Sequence, residues 1–214
     1  MTGRARFSVS LDPVTACILI ACLAVEAMLQ LSDLDIIDAP RLRQTVYEYA
    51  GFWPGLLRDW RPNYAAQPAL MFFTYGFLHG GVFHFVVNML TLLSLGRATW
   101  DRVGTARYAA IYGISILGGA VGYAVLSTVP IPMVGASGAL FGLAGAIVAW
   151  EARDRLALGE PLGPVVRLVG FLVVLNLVLW WAMDGHLAWQ THLGGFVAGA
   201  LAAIPFDRSD PQRA

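Results

Sequence analysis

The chain has 214 residues, 57% of them hydrophobic and only 13% charged, with a positive mean hydropathy. That balance excludes an ordinary water-soluble domain and points to a membrane protein. Net charge is zero, and the 14 basic residues are all arginine and scattered, which excludes a nucleic-acid partner.

A tail over residues 1–13 precedes the first apolar run, roughly Val14–Leu31. Arg4 and Arg6 ahead of it suggest a secretory leader, but no small-residue cleavage site follows, so the run reads as a retained first span. Cys17 and Cys22 lie inside it without a second pair to complete a metal pattern, and they read as packing residues. A long connection, Asp33–Met71, comes next, with several prolines, Trp53, Trp60 and the arginines Arg41, Arg43, Arg58 and Arg61. Short interfacial helices or a cap over the bundle both suit this composition, and both keep the connection at the outer surface.

Five further runs follow, at roughly Val82–Leu95, Tyr108–Val129, Ser137–Trp150, Val165–Met183 and Thr191–Phe206, with Gly, Pro and charge at the breaks. The expectation is an all-α membrane protein with six spans over residues 14–206 and a second tail at 207–214. With a cytoplasmic amino terminus, Arg4, Arg6, Arg97, Arg102, Arg107, Arg153, Arg155, Arg167, Arg208 and Arg213 fall inside. The positive-inside rule then places both termini in the cytoplasm. The expected location is a prokaryotic plasma (inner) membrane, with the lipid bilayer as a partner.

This topology gives spans two, four and six the same direction, so their amino-terminal ends share one leaflet. His84 and Asn88 lie near the start of span two, Ser137 opens span four and His192 opens span six. Four polar groups converge there. Fourteen residues from Ser137 to Trp150 make roughly 21 Å of helix, shorter than a hydrocarbon core of about 30 Å, so Ser137 is expected below the outer surface. The stretch before it, Val129–Ala136, holds Pro130 and Pro132 and cannot be regular helix; at membrane depth such backbone lines a cavity.

A hydroxyl becomes a useful nucleophile when a base takes its proton, and His192 is the candidate base for Ser137. Gly195 and Gly199 form a small-xxx-small stripe, answered by Gly138 and Gly142, and two such faces packed together would bring Ser137 and His192 within reach. Phe141, one turn below Ser137, is expected beside the imidazole, and Gly135 leaves room for substrate to approach. Acyl transfer also needs donors for an oxyanion. His84 and Asn88, spaced i, i+4, project from one helix face and are the candidates. No acidic residue in the outer halves of spans two, four or six offers a third member, so a two-residue Ser–His site is expected, with no metal and no cofactor.

In His84-x-x-x-Asn88, Gly135-Ala136-Ser137-Gly138 and His192-x-x-Gly195-x-x-x-Gly199, in that order, the chain resembles the rhomboid family of intramembrane serine proteases. The resemblance runs from about Phe72 to Phe206. It implies a rhomboid-like bundle of six transmembrane helices, Ser137 as nucleophile, His192 as base, Asn88 and His84 near the oxyanion, and transmembrane protein substrates. His79 also matches a family position. Two positions depart: Leu70-Met71 stands where many members have Trp-Arg, and Trp100-Asp101 where many have Glu near the cytoplasmic end of span two.

Plainer readings exist for each residue. Small residues such as Ser137 and Gly138 serve helix packing, Asn88 serves as an interhelical hydrogen-bonding group, and His79 and His186 suit solvated or interfacial positions. Trp180, Trp181 and Trp189 fit an interfacial belt, although the bulky outer end of span five also suits a gate for substrate. Crosslinking span five to span two tests the gate, since undiminished turnover rejects it. The alternative function is a non-catalytic relative that binds transmembrane clients. A transporter is disfavoured for want of internal repeats or several buried charges, and neither a His-Glu-x-x-His zinc motif nor an aspartyl pair is present.

Overall fold

The computed structural model describes residues 11–207. Most of both expected tails, with Arg4, Arg6, Arg208 and Arg213, lies outside them. The helices are α1 (Pro13–Asp33), α2 (Leu42–Ala50), α3 (Gln67–Thr74), α4 (Val82–Val103), α5 (Thr105–Leu126), α6 (Ser137–Ala157), α7 (Gly163–Ala182) and α8 (Trp189–Phe206). The described residues contain no strand, only an isolated antiparallel bridge between Phe52 and Met133. The protein is an all-α bundle, with α1 and α4 to α8 standing for the six expected spans.

Local signals set the helix ends. Asp12 caps α1, its Oδ1 accepting from the N–H groups of Val14 and Thr15 at 2.9 and 3.2 Å, with Pro13 in the first turn. Gly104, at φ +80°, separates α4 from α5 in a single residue and occupies a conformation that favours glycine.

Two helices run further than their apolar stretches. α4 continues past Leu95 to Val103, and α6 past Trp150 to Ala157. Charge ends hydrophobicity without ending a helix: Arg155 donates to Glu151 at 2.7 Å, a stabilising i, i+4 pair in the last turns of α6. The helix that Ser137 opens therefore has 21 residues rather than fourteen, of which only the first part is apolar.

By length and composition, α1, α4, α5 and α7 are apolar enough to cross a membrane. α6 and α8 are the exceptions among the long helices. Glu151, Arg153, Asp154 and Arg155 dilute one, Gln190, Thr191 and His192 the other. Polar helices persist at membrane depth when protein surrounds them, and here each packs on the other.

That packing is backbone against backbone. A methyl group added at Gly195 would collide with the Gly138 carbonyl, and one at Gly199 with the Gly142 carbonyl. The second face of α8 is equally close to α5: a methyl at Gly194 would meet the Gly118 carbonyl and lie 2.8 Å from the Gly122 Cα. α8 is thus wedged between α5 and α6, whereas the sequence announced only its contact with α6. Small residues achieve this because no side chain separates the helices.

The external connection runs on past the expected Met71 to the start of α4, and folds as α2, α3 and two 3₁₀ turns, Pro54–Leu57 and Tyr75–Phe77. It is anchored at depth as well as at the surface. Phe52 is fully buried among Phe72, Tyr75 and Tyr123. Arg43 of α2 pairs with Glu26 at 2.9 Å and Asp33 at 2.6 Å, both on α1, and donates to the His79 carbonyl at 2.8 Å. Glu26 is 3% exposed, so its charge is tolerated inside α1 because Arg43 meets it. At the opposite end, Arg102 of α4 donates to Asp154 at 2.8 and 3.0 Å and to Asp207 at 3.1 and 3.2 Å, and lies 5.0 Å above the Trp150 ring. This cation braces α4, α6 and the end of α8. Asp101 instead pairs with Arg97 at the surface.

Candidate active site

The segment ahead of α6 is non-helical, as its prolines require. Paired bonds of 3.0 Å between Phe52 and Met133, and the Gly135 N–H donating to the Tyr75 carbonyl at 3.0 Å, moor it to the external connection. Gly135 sits at φ +127°, and a Cβ there would lie 2.8 Å from His84 Cε1 and 3.0 Å from Nε2. Both conformation and space demand glycine. The chain then turns directly into α6 at Ser137, whose N–H belongs to the unpaired first turn of a helix.

Ser137 Oγ lies 2.8 Å from His192 Nε2. The glycine contacts of α6 and α8 produce this approach, since both residues sit at the openings of helices that touch along their length. Phe141 stacks on the imidazole, with centroids 4.2 Å apart and planes 9° from parallel. His192 is 4% exposed and Ser137 half-buried, so the hydroxyl is the reachable member.

The other ring nitrogen of His192 is also engaged. Nδ1 lies 2.8 Å from Oδ1 of Asn176, a residue of α7. No acidic group completes the site; an amide does. Its only mark in the sequence is to be the single polar side chain between Leu168 and Leu179. An unpaired amide is costly at membrane depth, and that isolation was the available signal.

On the other side, His84 Nδ1 accepts from the Gly80 N–H at 3.1 Å. The proton of the neutral ring is therefore on Nε2, the nitrogen facing Gly135. Asn88 is buried one turn on, its Nδ2 donating to the His84 carbonyl at 2.8 Å. The structure thus brings Ser137, His192, Phe141, Gly135 and His84 together, with Asn88 behind His84 on the same helix face. Gly138, Gly195 and Gly199 lie at the helix contact rather than at the hydroxyl.

His79 departs from the solvated or interfacial position expected of it. It is fully buried, packs edge-on against His84 at 5.3 Å and Phe85 at 5.5 Å, and neither ring nitrogen has a hydrogen-bond partner. Burial, with His84 nearby, pushes its pKa down to about 3. His186 is exposed.

The family model for the rhomboid domain matches residues 66–208. The chain belongs to the rhomboid family. Among rhomboid relatives, it is 34% identical over 134 residues to RHOMBOID-like protein 1 of Arabidopsis thaliana, covering 63% of this chain and 33% of that protein. It is 31% identical over 126 residues to Rhomboid protease GluP of Bacillus subtilis, 59% of this chain and 24% of that one. A shorter match, 35% over 77 residues, covers 36% of this chain and 22% of Inactive RHOMBOID-like protein 8 of Arabidopsis thaliana. The chain spans well under half the length of these relatives. They come from a plant and a bacterium, so they lend no support to a prokaryotic membrane in particular.

Proposed function

We propose that this rhomboid is an intramembrane serine endopeptidase that hydrolyses peptide bonds in or near transmembrane segments of other proteins. The observation that carries the proposal is the 2.8 Å contact between Ser137 Oγ and His192 Nε2. It is the geometry a general base needs to take a hydroxyl proton. As that proton passes to Nε2, Oγ bonds to the substrate carbonyl carbon and the carbonyl oxygen becomes an oxyanion. The donors within the site are the Ser137 N–H, the Nε2–H of His84 and the remaining amide N–H of Asn88. The imidazolium then returns its proton to the leaving nitrogen as the C–N bond breaks. Water, activated by the same nitrogen, hydrolyses the acyl-enzyme and frees Ser137.

The same reading keeps the site at the outer leaflet with both termini cytoplasmic, on the distribution of the arginines. Incubating wild type and Ser137→Ala with single-span membrane proteins in liposomes, followed by mass spectrometry, tests the activity. Fragments should appear with wild type and fall at least about a thousandfold with Ser137→Ala. A non-catalytic rhomboid that binds transmembrane clients is the second reading, favoured by the resemblance to an inactive relative. Folded wild type that fails to react with a fluorophosphonate probe would decide for it.

A further inference from the structure

An imidazole can serve Ser137 as a base only in one of its two neutral tautomers. Nε2 must offer a lone pair, so Nδ1 must carry the proton. The partner of Nδ1 therefore selects the tautomer. At 2.8 Å stands the carbonyl oxygen of the Asn176 amide, an acceptor, which retains a proton on Nδ1 and leaves Nε2 free for the hydroxyl. The same contact strengthens when the ring becomes an imidazolium, because hydrogen bonds with an ionised partner are the stronger ones.

The source of that amide is informative. α7 is the least embedded of the apolar spans: 6% of its spanning window is buried, against 28% to 39% in α1, α4 and α5. Val165 is its only buried residue. A cleft of about 570 Å³ separates it from α6 and α8, lined by Phe141, Leu172, Asn176, Trp180, His192 and Phe196 among others. Between Leu168 and Leu179 of α7, Asn176 is the one side chain able to form a hydrogen bond to the bundle.

We propose that Asn176 is a positioning residue that fixes the reactive tautomer of His192, so that the base is competent only while α7 is docked against it. The role rests on the hydrolase reading above. Asn176 touches neither Ser137 nor a reacting atom and acts through the ring. α7 thereby reports its own position to the catalytic pair: a displacement of the helix by a few ångströms ends the contact and releases the tautomer.

The test joins kinetics to spectroscopy on the full chain in liposomes. Asn176→Leu keeps the shape and removes the acceptor; kcat should fall roughly 10- to 100-fold with KM within about twofold. Asn176→Asp restores an acceptor and should recover a large part of that loss. In ¹⁵N-histidine spectra, with His192 assigned by difference against His192→Ala, wild type should show Nδ1 protonated and Asn176→Leu a mixture of tautomers. Wild-type kcat in Asn176→Leu would overturn the role, as would equal losses in both variants. If the variants do not fold, the wild-type spectrum still decides, because Nε2 protonated at rest is incompatible with the proposal. Wild type that neither cleaves nor reacts with fluorophosphonate overturns the hydrolase reading, whereas an active wild type insensitive at position 176 overturns this inference alone.

Discussion

α8 and α7 stand on either side of the same imidazole and are held in opposite ways. α8 is wedged between two neighbours with glycine on both contact faces, and every added methyl meets backbone. α7 leans on the bundle through few buried atoms and one amide. The difference shows how a single histidine can be rigid about its position and conditional about its proton. The backbone that carries it is held by close helix contacts on two sides, while the amide that meets its Nδ1 sits on the least buried apolar span.

Substitutions at glycine measure the contrast most directly. Gly199→Leu should cost about 3 kcal/mol or more, since it overpacks a site where carbonyl backbone leaves no relief, and should be read as loss of folded protein in a thermal melt. A comparable result is expected away from both helices. Arg43→Met strands the buried Glu26 and should destabilise the fold by about 3 kcal/mol in denaturant titration, while the Tyr47 hydroxyl still donates to the His79 carbonyl.

Acidification should act more mildly. His79 has its folded pKa lowered to about 3 from 6.5, so its contribution is complete above pH 6.5 and lost as pH falls toward 3. Between pH 6.5 and 5 it should remove about 2 kcal/mol of stability, and His79→Phe should flatten that slope in melts across pH. Smallest of all should be Gly170→Leu on α7, where an added Cβ meets open space and helix propensity favours the larger residue; no loss beyond about 0.5 kcal/mol is expected. A large loss there would mean that α7 is packed as tightly as α8, and the comparison would collapse.

The sequence disclosed what depends on spacing and withheld what depends on which loose element comes to rest where. Gly195 and Gly199 opposite Gly138 and Gly142 foretold the α6–α8 contact, and with it the approach of Ser137 to His192. Gly118 and Gly122 carry an equivalent signal for α5, but their stripe lies in an otherwise apolar run and nothing local names its partner. Asn176 was legible only as an isolated amide, for a related reason. A single amide in an apolar helix states that it needs a partner, and only the fold says which. Helix lengths were misjudged where Glu151 to Arg155 end an apolar stretch, because charge stops burial while backbone hydrogen bonding continues. Arg43 could be read as one of four outer cations, but its pairing with Glu26 required α2 to fold back on α1.

The double wedge around α8 also dictates where this helix can be observed. A fluorophore, spin label or photoreactive handle has no room on the two faces that meet α5 and α6. The outward edge at Val197, Leu201 and Ile204 is open, with exposures of 47%, 61% and 62%. Reporters attached along that strip would travel with the helix that holds the imidazole while leaving its seat undisturbed.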